Sequence, residues 1–160
     1  MKHTISCLVR NEPGVLAQVA RSFADGEINI ASLSAGTTEQ PSISRLTIVV
    51  QGNDDTVRRV EEVVQGLPSV LKLEDLASKE YFARELLLVK VEVAPEFISR
   101  MMQMAEMFDA RVIGLTHRTM TLELAAEDRK IDALMKLLEP MKIVSMARSG
   151  RIAVSAEEEA

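Results

Sequence analysis

Polar and apolar positions alternate at the start of the chain, with Ile5, Cys7 and Val9 apolar and Leu8 adding a second face. A period of two over residues 4–9 predicts a strand. Val15, Leu16, Val19, Ala20 and Phe23 follow at helical spacing and predict a helix that Asp25-Gly26 closes with a residue able to take positive φ. Ile28, Ile30 and Leu33 mark a second strand. The polar run 36–42 then turns the chain into a third, where Leu46, Ile48 and Val50 alternate with Arg45 and Thr47. Past the capping side chains of Asn53, Asp54 and Asp55, Val57, Val60, Val64 and Leu67 predict a second helix, and residues 70–76 a fourth strand.

The same order then recurs. Residues 86–93 form an apolar strand ending at Pro95, which suits a first helical turn because it needs no donor there. Phe97, Ile98, Met101, Ala105 and Phe108 predict one helical face. Residues 111–116 and 119–124 predict a hairpin, 128–138 a helix and 142–148 a last strand. Two β-α-β-β-α-β runs predict an α+β protein of two tandem ferredoxin-like domains, each an antiparallel sheet with helices on one face. The expected division is 1–77, a linker at 78–83, a second domain at 84–152, and an acidic disordered tail at 153–160. No residue-level repeat links the two copies.

Composition narrows the function. A net charge of −5 and no tryptophan argue against a nucleic-acid surface, which needs clustered cations and stacking rings. No apolar run approaches the roughly 20 residues of a membrane helix, and the amino terminus has no signal-peptide pattern, so a cytoplasmic location is expected. Cys7 is the lone cysteine and lies in an apolar strand, where a buried inert thiol is the ordinary expectation. His3 and His117 have no ligand-spaced partners and suit surface or edge-strand positions, so no metal site is expected. No nucleophile elbow or phosphate-cradling glycine loop is present, and no catalytic residue is expected. The run Met101-Met102-Gln103-Met104-Ala105-Glu106-Met107 covers more than one core face. Core filling is the ordinary expectation for such a run, while outward Met102 or Met107 would suit a subunit interface.

The stretch from Arg10 to Leu33 carries the candidate binding chemistry. Glycine in an early helical turn costs up to about 1 kcal/mol against alanine, and the apolar stripe does not require Gly14. It suits either a plain turn and cap or a point where a carboxylate meets unpaired helix amides.

Asn11-Glu12-Pro13-Gly14-Val15-Leu16, Asn29-Ile30-Ala31-Ser32-Leu33, Ser44-Arg45-Leu46-Thr47-Ile48, Arg84-Glu85-Leu86 through Lys90-Val91, Lys130-Ile131-Asp132-Ala133 and Ala147-Arg148-Ser149-Gly150 together carry a resemblance. In this order and spacing they resemble the regulatory (small) subunits of acetolactate synthase, also called acetohydroxyacid synthase, whose first half is an ACT domain. The resemblance implies an N-terminal ACT domain for effector binding and dimerisation, followed by an ACT-like domain. It also implies activation of a separate catalytic large subunit and feedback inhibition by valine or another branched-chain amino acid. Thiamine diphosphate, Mg and FAD would reside in that partner, with no cofactor in this chain. In a homodimer, Asn11, Gly14, Val15 and Leu16 would line one wall of the effector pocket, and Asn29 and Ile30 of the other protomer the second. The sequence departs from the family where Gly26 comes one residue early, Glu27 takes the glycine's place and Ile28 replaces an aromatic. Gly114 stands where the family often has Asp. The alternatives are a free-standing amino-acid-binding ACT protein, the effector module of another regulator, and a small ferredoxin-like enzyme.

Overall fold

Strand β1 (Lys2–Arg10) is the spine of the first sheet in the computed structural model, which describes residues 2–157. It pairs antiparallel with β3 (Ile43–Gln51), placing Ile5 opposite Ile48 and Cys7 opposite Leu46. Its other edge takes β4 (Val70–Asp75), and β2 (Ile30–Thr37) lies outside β3, giving the order β2-β3-β1-β4. Helices α1 (Val15–Asp25) and α2 (Asp54–Gln65) bury Val15, Val19, Phe23, Val57, Val60 and Val64 against the inward side chains of these strands. Phe23 is fully buried, and truncating it to alanine would cost about 3–5 kcal/mol. Asn53 caps α2 as expected, its Oδ1 accepting from Thr56 N at 2.8 Å.

The second sheet repeats the order. β5 (Tyr81–Glu92) lies between β7 (Thr119–Ala126) and β8 (Ile143–Arg148), with β6 (Arg111–Leu115) outside β7. Helices α3 (Ile98–Met107) and α4 (Asp128–Leu138) complete a core with Leu87, Val89, Val91, Met120, Leu122 and Leu124. Pro95 sits in a short 3-10 turn before α3. Phe97, expected on the core face of that helix, is instead 49% exposed. The alternation of residues predicted the strands, and the four antiparallel strands that each sheet takes from its own β-α-β-β-α-β run bear out the ferredoxin-like α+β expectation, the second sheet gaining a fifth strand described below.

The chain divides into residues 2–82 with 151–157, and residues 83–150. β5 begins at Tyr81, so half of the stretch expected to be a linker is strand. The expected disordered tail also needs correction, because residues 152–155 form β9 (Ile152–Ser155). This strand pairs with β5, whose first two residues belong to the first unit. Ala156 N–H donates to Glu80 O at 2.9 Å, and Ala153 is buried. Ile152, Ala153 and Val154 supply the apolar content that the acidic end of the tail lacks. Residues 158–160 lie outside the described residues.

This return explains a second departure from expectation. Thr4, Ser6, Thr47 and Val49 lie on the sheet face away from the helices yet are buried, since Leu76, in a 3-10 turn (Leu76–Ser78), and β9 both contact β1. Arg151 Nη1 donates to Thr4 Oγ1 at 2.6 Å, so a buried hydroxyl has its partner. On the corresponding face of the second sheet, Leu86 and Leu88 stay exposed. No helix among the described residues is long and apolar enough to cross a membrane.

Candidate functional site

The entrance to α1 is built by three connections that meet at the end of β1. Arg10 N–H donates to Ser69 O at 2.9 Å, tying β1 to the α2–β4 connection. Asn11 N–H donates to Ser42 O at 2.8 Å, and its Nδ2 donates to Pro41 O at 3.0 Å, tying the chain to the β2–β3 turn. Asn11 therefore braces a neighbouring turn, not its own backbone, and its Oδ1 is left able to accept. Ser69 Oγ donates to Gln18 Oε1 at 3.2 Å, so Gln18 helps fix the helix.

Gly14 caps α1 with φ 87° and ψ −14°, a left-handed conformation that L side chains rarely adopt. The glycine is thus required by the backbone, and a Cβ there would meet nothing within 4 Å. No side chain caps this helix and no acidic residue lies in its first turn. Helix α2 differs, with Asn53 at its cap and Asp54 and Asp55 in its first turn. The first amides of α1, like those of α3, have no side-chain cap and no acidic neighbour in the first turn, and the helix dipole favours negative charge there.

The expected site residues separate into three placements. Asn11, Gly14 and Leu16 are exposed together at this entrance, Leu16 with 44% of its surface open. Val15 turns inward, 5% exposed, so its side chain anchors α1 in the core. Asn29 is exposed and Ile30 half-buried at the start of β2. Ile30 pairs with Val50, which pairs with His3, whereas Arg10 pairs with Ile43. Seven residues of strand separate His3 from Arg10, so within one chain the two expected walls lie roughly 23 Å apart.

The turn into β2 replaces a glycine by strain. Gly26 takes φ −82°, not the positive φ expected of it, and Glu27 takes φ 56°. Glu27 N–H donates to Ala24 O at 3.0 Å and Ile28 N–H to Phe23 O at 2.9 Å, the paired bonds of a Schellman stop with Glu27 at the left-handed position. Gly26 is needed for another reason, since a Cβ there would lie 2.5 Å from Val60 Cγ2 on α2.

Other titratable groups serve the fold. Burial pushes the Cys7 thiol up to about 11, which keeps it protonated and inert at neutral pH. His3, expected at the surface, is buried with Nδ1 2.8 Å from Asp75 Oδ2 and Nε2 3.3 Å from Asp54 Oδ1. Among the described residues no three His, Cys, Asp or Glu side chains converge as metal ligands.

The motif residues near the end of the chain also have structural roles. Arg148 grips the buried Glu85 through Nε–Oε1 and Nη2–Oε2 contacts of 2.8 Å each, and Glu85 holds its guanidinium pKa above the usual value. Ser149 Oγ accepts from Leu86 N at 2.9 Å and donates to Gly150 O at 2.7 Å, and Gly150 takes φ 76°.

Comparison with known proteins agrees with this architecture in both halves. Residues 5–72 match the AHAS small subunit-like ACT domain, and residues 84–157 match the small subunit of acetolactate synthase. The acetolactate synthase small subunit of Aquifex aeolicus is 38% identical over 158 residues, covering 98% of this chain and 82% of that one. A probable acetolactate synthase small subunit of Archaeoglobus fulgidus is 36% identical over 154 residues, 96% of each chain. The crystal structure of the acetolactate synthase small subunit of Thermotoga maritima superposes with a TM-score of 0.88 at 30% identity over 99% of both chains. With both halves matched and relatives aligned over nearly the full length, the chain belongs to the acetolactate synthase small-subunit family.

Proposed function

We propose that this chain is the regulatory subunit of an acetolactate synthase. It binds a separate catalytic large subunit in the cytoplasm, activates it, and makes it sensitive to valine or a related branched-chain amino acid. The thiamine diphosphate, Mg and FAD needed for the chemistry belong to that partner. Here the first unit binds the effector and pairs two protomers. The carboxylate lies against the first amides of α1 beside Gly14, Asn11 Oδ1 accepts from the ammonium, and Leu16 meets the branched side chain. Asn29 and Ile30 reach the same ligand from a second protomer.

The observation that carries this reading is the roughly 23 Å between the two walls within one chain. A single small ligand cannot touch both, whereas a second copy can bring its own β2 to the open entrance. A pocket split in this way is itself a regulatory device. An effector that binds one arrangement of two protomers more tightly shifts the population toward it, and the catalytic subunit experiences the shift.

The test is to mix the protein with the catalytic subunit from the same genome and follow co-elution and acetolactate formation with and without valine. The expected result is a stable complex, higher activity than the catalytic subunit alone, and loss of that activity on adding valine. No complex and no change in rate would contradict the regulatory role and favour a free-standing amino-acid-binding protein.

A further inference from the structure

The second unit carries a groove of about 1050 Å³ that the effector reading does not use. It is bounded by α3, α4, the β6–β7 turn and the α4–β8 connection, and its lining includes Met101, Met104 and Met141. Three large apolar side chains at its edges stay open to solvent: Phe97 at 49%, Leu137 at 50% and Met107 at 79%.

Cations stand around this apolar trough. Lys142 is paired with Glu92 at 2.6 Å. The exposed guanidiniums of Arg100 and Arg118 make no ion pair or side-chain hydrogen bond with the described residues. In a chain of net charge −5 this is a local excess of positive charge with nothing in its own unit to neutralise it.

We propose that this groove seats an amphipathic helical segment of the catalytic large subunit, with an apolar face sunk among the methionines and carboxylates along its edges. The inference rests on the regulatory-subunit reading and adds the surface that does the binding. An apolar floor ringed by charge is the anatomy of a protein interface. A pocket for an amino acid would instead bring polar groups to converge on its floor. The volume points the same way, since two turns of a helix about 10 Å across occupy roughly 850 Å³. Flexible thioethers adapt to a helix laid into a groove, and unpaired guanidiniums steer and orient an acidic partner.

The test uses the full chain with the catalytic subunit. Two surface variants are compared with wild type, Met107→Asp and the double variant Arg100→Glu with Arg118→Glu. A photo-crosslinking residue at Gln103, which also lines the groove, reports contact in an otherwise unaltered protein. We expect the double variant to bind the catalytic subunit at least about tenfold more weakly, mostly through slower association that depends less on salt. Met107→Asp should weaken binding about tenfold as well. Both variants should keep the wild-type circular dichroism and valine affinity, and Gln103 should crosslink to the catalytic subunit.

Wild-type affinity in both folded variants would overturn the inference. A crosslink only to a second copy of this chain, or none within a formed complex, would overturn it too, while leaving the regulatory role intact. Failure of the wild-type protein to bind or activate the catalytic subunit would remove that role, and this inference with it.

Discussion

The two units share a register as well as a fold, and they spend equivalent positions differently. In the first, Arg10 N–H donates to Ser69 O and Asn11 N–H to Ser42 O; in the second, Glu92 N–H donates to Lys142 O and Val93 N–H to Arg118 O. Ile5 faces Asp75 as Leu87 faces Arg148. The scaffold is therefore repeated down to single hydrogen bonds, and what changes is the chemistry hung on it. At the helix entrance, where neither unit has a side-chain cap, the first has left-handed Gly14 and the second a Pro95 turn with no residue at positive φ. Beside the sheet edge, buried His3 meets Asp75 in the first unit and buried Glu85 meets Arg148 in the second, with acid and base exchanged. A duplicated frame can thus carry two different helix entrances without altering its strand order.

The exchanged pair offers the largest effect on stability. Replacing Arg148 by Met would leave the Glu85 carboxylate buried without its bidentate partner. We expect a loss of roughly 2–3 kcal/mol in denaturant unfolding, less than for a fully buried pair because Arg148 keeps solvent contact. A loss under about 0.5 kcal/mol would show that the pair contributes little to the second unit.

The helix entrances give a comparable effect on binding. Gly14→Asp and Gly14→Asn carry a similar left-handed strain, so their difference reads charge and not strain. Valine affinity in Gly14→Asp should fall on the order of thirtyfold below Gly14→Asn, from roughly 2 kcal/mol for a charge at a partly buried helix terminus. Ala94→Asp, at the matching entrance of the second unit, should leave valine affinity unchanged. Calorimetry on the three folded proteins checks both statements, and equal losses at Gly14 and Ala94 would erase the distinction between the units.

A smaller effect separates the two helix ends. Glu27 and Asp109 both take positive φ after the first helix of their unit. Asp tolerates that conformation better than Glu and is further held by Lys130 at 2.7 Å, which pulls the Asp109 carboxyl below its usual pKa. Glu27→Gly should stabilise the protein by about 1 kcal/mol in thermal unfolding, while Asp109→Gly should change little.

The frame was readable in advance because it rests on side-chain periodicity. Cys7, Ile48, Val60 and Met101 lie inward where alternation or helical spacing put them. Features that depend on pairing across the chain were not. Nothing local marks His3 as buried, since its partners stand 51 and 72 residues away. β9 was hidden by the acidic residues that follow it. Gly26 looked like a helix stop because glycine suits positive φ, but close approach of Val60 is what requires it. At the candidate site, Asn11, Gly14 and Leu16 were readable as an open entrance. Helical spacing had already placed Val15 on the apolar stripe, and its side chain is buried there.

An effector pocket shared between protomers, as proposed above, should be restored by mixing two defective proteins. Asn11→Ala and Asn29→Ala each remove one wall from every site of a homodimer. If the protomers are unfolded together and refolded, mixed dimers carry one site with both walls wild type and one with neither. Random pairing should then restore wild-type valine affinity to about one quarter of all sites, measured as calorimetric stoichiometry. Recovery of none, with mixed dimers confirmed by mass spectrometry, would contradict the shared pocket.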